Sequence, residues 1–162
     1  MNETPGGRRA LGVDVGSVRV GIAISDPDRT VATPVETLSA SEVGASGRTR
    51  PGDPGGDERA WAADLADRLV ALAAERDAGV VVIGLPRGLS GRDTASTRSA
   101  RAVAAAVEEA GLAVELWDER LSTAEAERTM RAQGSGRRER RTVRDRVAAV
   151  LILQGWLDAN RT

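Results

Sequence analysis

Cysteine, histidine, lysine, phenylalanine and tyrosine are all missing from this chain of 162 residues. Without cysteine there is no disulfide, no thiolate nucleophile and no Cys-ligated zinc, which agrees with a reducing compartment. Without histidine the Ser-His-Asp arrangement, the usual general base and the imidazole metal sites drop out. Every basic residue is Arg, so a P-loop lysine and a Schiff-base lysine are excluded as well. Any catalysis falls to carboxylates, hydroxyls, Arg or bound metal. The aromatic residues are Trp61, Trp117 and Trp156, each inside an apolar pattern, so base-specific readout of single strands by stacking is not expected. The opening MNETPGGRRALG holds no apolar core of a signal peptide, and no later run approaches the roughly 20 apolar residues of a membrane span. The expectation is a cytoplasmic protein with no membrane partner. Arg and acids nearly balance, 23 against 24, so bulk charge names no partner and local patches must. The length suits one compact domain over residues 1–162.

Three β-like runs, LGVDVG, VRVGIAIS and VATPVETL, follow one another from Ala10 to Leu38. Their short separators, Gly-Ser and Asp-Pro-Asp-Arg, suit hairpin turns and antiparallel neighbours. Ser39 to Asp57 is poor in large apolar residues and dense in Gly, Pro and Ser, which predicts a flexible loop. Trp61, Leu65, Leu69 and Leu72 then recur at helical spacing before Gly79, a C-terminal stop signal. VVVIG reads as a buried parallel strand. The loop LPRGLSGRD leads to a helix from about Thr94 to Ala110, ended by Gly111, and LAVELWDE reads as another strand. Helices from about Ser122 to Gln133 and from about Thr142 to Asp158 complete the reading. An antiparallel meander followed by alternating strands and helices predicts an α/β fold. Right-handed crossovers set the later strands parallel to the first, in one mixed sheet with helices on its faces.

Asp14 stands out within the first strand. Alternation puts Gly12, Asp14 and Gly16 on one face and Leu11, Val13 and Val15 on the other, so the flanking glycines suggest open space above the carboxylate. A buried carboxylate needs an Arg, backbone donors or a metal, although an Asp near a strand end can also simply organise the Gly16-Ser17 turn. Glu119 ends the strand LAVELWDE, where ligands gather beyond the carboxyl ends of parallel strands. The other reading is that it supplies negative charge near a helix start, where Ser122 and Glu125 fit a capping box. Asp145 fits a second capping box, Thr142-Val-Arg-Asp145, and also shares a helix azimuth with Ala149, Ile152 and Trp156, which would turn it toward the sheet. Three carboxylates on separate elements form an all-oxygen donor set suited to Mg²⁺ or Mn²⁺, in a two-metal arrangement fit for phosphoryl chemistry.

Charge is concentrated as well. Between Arg120 and Arg146 stand nine Arg against four acids, centred on GSGRRERRTVR. Such a cluster at a helix entrance is either a phosphate-backbone binder or a solvated helix end. The loop with Arg87 and Arg92 opens on the same sheet edge, and is otherwise an ordinary strand-to-helix connection.

The strings GVDVGSVRVGIAISDP, VVIGLPRGLSG, DERLSTAEAERTM and RDRVAAVLILQGWLD, in this order, resemble the YqgF family of Holliday junction resolvase-like proteins associated with processing of pre-16S rRNA. The resemblance spans the chain apart from Ser39 to Asp57, which looks like an insertion. It implies an RNase H-like fold with a five-stranded mixed sheet and helices on both faces, and a nuclease acting in ribosome biogenesis on the 5′ end of the 16S rRNA precursor. Carried over, the family's acidic positions fall on Asp14, Glu119 and Asp145, as catalytic residues and ligands of Mg²⁺ or Mn²⁺. Arg19 matches the basic residue of the first motif and Thr123 the hydroxyl after the second. Arg87, Arg120, Arg137, Arg138, Arg140 and Arg141 complete the expected substrate contacts. The expected partner is structured RNA, pre-16S rRNA or the ribosome, with a four-way DNA junction as the alternative substrate and either a monomer or a homodimer as the active form. A noncatalytic assembly factor is a further alternative. A phosphate-binding ATPase module, suggested by D-x-G-S-x-R, needs a second lobe that 162 residues do not accommodate.

Overall fold

The computed structural model describes residues 8–16, 18–43, 57–86, 94–118 and 137–161, the side chains of 137–146 excepted. Its elements are β1 (Arg9–Val15), β2 (Arg19–Ser25), β3 (Ala32–Ser39), α1 (Ala40–Val43), α2 (Glu58–Arg76), β4 (Ala78–Leu85), α3 (Ala95–Glu109), β5 (Ala113–Asp118) and α4 (Arg137–Ala159). The five strands form one sheet in the order β3-β2-β1-β4-β5. The first three are mutually antiparallel, while β4 runs parallel to β1 and β5 parallel to β4, the mixed sheet that the order of elements predicts.

Strand alternation sorts the core into two layers. Leu11, Val13 and Val15 of β1 meet Trp61, Leu65 and Leu69 of α2 and Val103 and Val107 of α3 on one face. On the other, Ala10, Ala23, Val80 and Val82 meet Ala149, Ile152, Leu153, Trp156 and Leu157 of α4. The strand residues under α4 are small. A Cβ on Gly12 would lie 2.6 Å from Leu153 Cβ and 3.0 Å from the Ala149 carbonyl oxygen, so the helix rests directly on the β1 backbone.

Local chemistry fixes the helix ends. Asp57 caps α2 by accepting from Arg59 N at 3.0 Å and Ala60 N at 3.2 Å. That helix stops not at Gly79 but at Asp77, which takes the left-handed conformation with φ 57°. Asp tolerates this conformation better than most residues, so the strand starts at Ala78 and Gly79 lies within it. Thr94 caps α3, and Gly111 follows that helix at φ 94°, as the sequence suggests.

Two other boundaries differ from expectation. The loop foreseen over Ser39 to Asp57 is ordered at both ends. Ser39 closes β3, Ala40–Val43 form α1, and Asp57 caps α2. Ala40 is buried, donates its N–H to Val18 O at 2.8 Å and accepts from Trp61 Nε1 at 2.8 Å. Residues 44–56, and the helix expected over Ser122 to Gln133, lie outside the described residues. The last helix begins at Arg137 rather than Thr142. Arg and Glu are good helix formers, and nothing between Arg137 and Thr142 breaks a helix, so charge density there does not signal a loop. Thr142 and Asp145 are therefore interior helical positions, and the capping-box reading of Asp145 falls away.

Candidate active site at the carboxyl end of the parallel strands

The strand registers bring the carboxyl ends of β1, β4 and β5 level. Val13 pairs with Ile83 and Ile83 with Leu116, and Leu85 pairs with Asp118, the last residue of β5. Asp14, one residue beyond Val13, therefore stands at the edge where β4 and β5 end. It is partly buried and is not without a partner. The open space foreseen above it is taken up on both sides. Leu153 and Ala149 fill the volume over Gly12, and a Cβ on Gly16 would meet the Arg19 carbonyl oxygen at 2.5 Å. Gly16 thus serves the tight β1–β2 connection, where its N–H donates to Arg19 O at 2.9 Å. Arg19 opens β2 beside this turn, is partly buried and likewise has a partner.

The course of α4 follows from its contacts. Its Gln154 accepts from Ala32 N at 2.9 Å and donates to Thr30 O at 3.0 Å, at the start of β3 and far from the Asp14 end of β1. Ala149 and Leu153 lie over Gly12. One turn further back, residue 145 occupies a helical position about 6 Å nearer the carboxyl end of β1. Asp14 and the backbone of Asp145 are thus brought toward the same edge, on the same face of the sheet. Arg137, Arg138, Arg140 and Arg141 lie in the first two turns of this helix and not in a preceding loop. Glu119, Arg87, Arg120 and Thr123 lie outside the described residues, although Glu119 is the next residue after β5 and Arg87 follows Pro86 just beyond β4. Among the described residues there is no group of three acids placed to hold a metal, a set that leaves out Glu119 and the side chain of Asp145.

Two side chains at this edge carry more than their apolar spacing suggests. Trp117 of β5 packs its indole on Gly155 of α4, where a Cβ would lie 3.0 Å from Trp117 Nε1. It braces the helix against the edge strand, together with Trp156, whose Nε1 donates to the Glu115 carboxylate. A glycine inside an otherwise apolar helix was the available sign of that close approach. Thr97 of α3 is completely buried and bonds to Pro86 O at the end of β4. No helix among the described residues is long and apolar enough to cross a membrane.

Residues 8–48 and 57–159 match the RuvX family, described as Holliday junction resolvase. A protein of Mycolicibacterium smegmatis is 42% identical over 161 residues, covering 98% of this chain and 85% of its own length. One of Clavibacter michiganensis subsp. michiganensis is 45% identical over 152 residues, covering 93% and 83%. Both relatives are named, provisionally, as a pre-16S rRNA nuclease. Among solved structures, Thermus thermophilus RuvC in complex with Holliday junction substrate superimposes with a TM-score of 0.53 over 94% of this chain and 96% of its own, at 14% identity. RuvC from the same organism in a second structure gives 0.52. At that identity the likeness is one of fold, and it accords with the RNase H-like architecture expected from the motifs.

Proposed function

The chain belongs to the RuvX family, and from that membership we propose that it is a metal-dependent endonuclease that hydrolyses phosphodiester bonds of structured RNA, processing the 5′ end of the 16S rRNA precursor in ribosome biogenesis. The whole chain acts as one nuclease domain in the cytoplasm. The observation that carries this reading is the position of Asp14 on the sheet face covered by α4, the helix that bears Asp145. Near-full-length similarity to relatives named for pre-16S rRNA supports the choice of RNA.

The donor set is all oxygen, since the chain has neither His nor Cys, and it fits Mg²⁺ or Mn²⁺ better than zinc. Asp14, Glu119 and Asp145 would hold the metal, which when bound supplies charge stabilisation at the phosphate and a more acidic water. The remaining work belongs to the chain. Arg19, Arg87, Arg120, Arg137, Arg138, Arg140 and Arg141 neutralise and orient the phosphate backbone, and the Thr123 hydroxyl offers a neutral donor. With no imidazole available, proton movement runs through carboxylates and water.

Incubation of the protein with precursor rRNA and with a synthetic four-way DNA junction, with Mg²⁺, Mn²⁺ or chelator, tests this directly. Metal-dependent cleavage of the RNA is expected. Asp14→Asn, Glu119→Gln and Asp145→Asn should each remove most of it, and a double variant should be little worse than a single because the residues act as a unit. Independent, additive losses would break the common site. The family's description favours one second reading, a resolvase of four-way DNA. Paired, symmetric cuts in the junction by a dimer, with the RNA intact, would establish that reading instead.

A further inference from the structure

Among the described residues, three buried side-chain atoms have no hydrogen-bond partner: the Thr37 hydroxyl, Glu58 Oε1 and Trp117 Nε1. A polar group left so inside a protein is costly, and each calls for an explanation. Trp117 Nε1 faces Gly155 of α4, where even a Cβ would stand only 3.0 Å away, so the helix backbone shuts that place. Glu58 opens α2, on the face of the sheet turned away from α4. Thr37 is the one that shares a face with Asp14.

The strand registers establish this. Asp14 pairs with Gly21 and Gly21 with Thr37, so the three form one row across β1, β2 and β3. Residues paired in this way point to the same side, here the side of α4, under which Gly12 and Ala23 lie. Glu36, the neighbour of Thr37, points the other way and is held by Arg68 of α2. Since Gly21 has no side chain, none stands in the row between the acid and the hydroxyl. At about 4.8 Å per strand, the Cα atoms of Asp14 and Thr37 are roughly 10 Å apart. Two such short side chains cannot bond directly over that span, but both can lean over the glycine toward one bridging water. Arg19, two residues from Gly21 on the same face, brings a third polar side chain. A buried water typically makes about three hydrogen bonds. Asp14 and Arg19 keep the partners they already have, because a carboxylate and a guanidinium each bond several groups.

We propose that Thr37 is a positioning residue for Asp14: through one buried water over Gly21 its hydroxyl aims the carboxylate, and so sets how tightly the site holds its ion. The last step rests on the metal-dependent nuclease reading; the bridge does not. Melting of the full chain, first in chelator and then over a Mg²⁺ or Mn²⁺ series without nucleic acid, tests the two separately. Thr37→Val keeps the shape and removes the hydroxyl. A dry, unpaired hydroxyl would be better replaced by a methyl group, and the melting temperature would rise. With the bridge it should fall in chelator, and the fall should vanish in an Asp14→Ala background, where the acceptor is already gone. Thr37→Ser should melt close to the unaltered protein. In the ion series, Thr37→Val should need about tenfold more metal for the same stabilisation, the usual effect of losing a group that orients a ligand. Thr33→Val, on the other face of β3, should leave the ion response unchanged.

A Thr37→Val protein that melts higher in chelator, or whose loss persists undiminished beside Asp14→Ala, would make Thr37 a packing residue and overturn the proposal. If Thr37→Val does not fold, a high-resolution crystal structure of the unaltered, metal-free protein decides: an ordered water bonded to both Thr37 Oγ1 and the Asp14 carboxylate is expected, and a dry contact there refutes the bridge. Coupling between Thr37 and Asp14 in a protein whose melting ignores both ions refutes the metal reading and leaves the bridge standing. Melting that rises with the ions but shows no coupling refutes the bridge and leaves the metal reading intact.

Discussion

Gly12 lets α4 lie on the backbone of β1, and the space it leaves is already occupied. A methyl group there would meet Leu153 Cβ at 2.6 Å and the Ala149 carbonyl oxygen at 3.0 Å, neither of which is the free end of a flexible side chain. Gly12→Ala should therefore move the helix and cost about 1–3 kcal/mol, read as a lower midpoint in denaturant. Since α4 carries Asp145, cleavage should fall with it, and a variant of unchanged stability would contradict the packing described. Asp26 sets a different kind of sensitivity. Val31 N, the Thr30 hydroxyl and Thr30 N all donate to its carboxylate, and these bonds lower its pKa from 3.8 to about 2. A depressed acid stabilises the fold fully above its unfolded value and loses that contribution as pH falls through its folded one. Melting curves of the protein and of Asp26→Ala should thus differ by a constant amount above about pH 5 and converge as pH drops from about 4 to 2. A difference that persists at the acid end would mean that Asp26 acts through something other than its charge.

At the scale of elements, the segment between β3 and α2 separates what the sequence made legible from what it hid. Its Gly, Pro and Ser content predicts a loop from Ser39 to Asp57, but composition could not reveal that Ala40 is buried and held by Val18 and Trp61. Those bonds use backbone groups, which no side-chain pattern announces. Removing most of residues 45–55 should leave stability within about 1 kcal/mol, because closure entropy changes slowly with loop length. Extending the deletion through Ala40–Val43 should lower the melting temperature clearly, since it strips the Trp61 indole of its acceptor. Equal stability of the two deletions would show α1 to be dispensable. The same contrast holds elsewhere. Strands β1, β2, β4 and β5 were readable from alternation and β-branched runs. The start of α4 was not, because its Arg-rich first turns lack the apolar period by which helices are recognised. Asp77 was missed as the end of α2 because glycine is the commoner left-handed residue and Gly79 stood two positions on. Of the candidate site, the place of Asp14 at the end of β1 was legible from an acid between glycines in an apolar strand, and the helical backbone position of residue 145 from its spacing to Ala149 and Ile152. Thr37 was not, since a threonine within a strand looks like any other until its register with Gly21 and Asp14 is known.

Across the whole molecule, the proposed acids come from β1, from the residue after β5 and from a helix on one face of the sheet, so a metal ion joining them would link elements remote in sequence. An ion that binds the folded state alone stabilises it by mass action, by about 2.7 kcal/mol at a hundredfold excess over its dissociation constant. The melting temperature should therefore climb with Mg²⁺ or Mn²⁺ concentration even when no substrate is present. Asp14→Asn, Glu119→Gln and Asp145→Asn should each abolish that climb, although the three lie on different parts of the chain. Without metal the same substitutions should hold or raise the melting temperature, because neighbouring carboxylates repel and disfavour joint ionisation. Asp28→Asn, in the exposed turn before β3, should leave both behaviours untouched and serves as the control. A metal-dependent rise that survives all three acid substitutions would place the ion elsewhere. A metal-free protein strongly destabilised by Asp14→Asn would make that residue a structural partner of the β1 edge and remove the ground for a shared metal site.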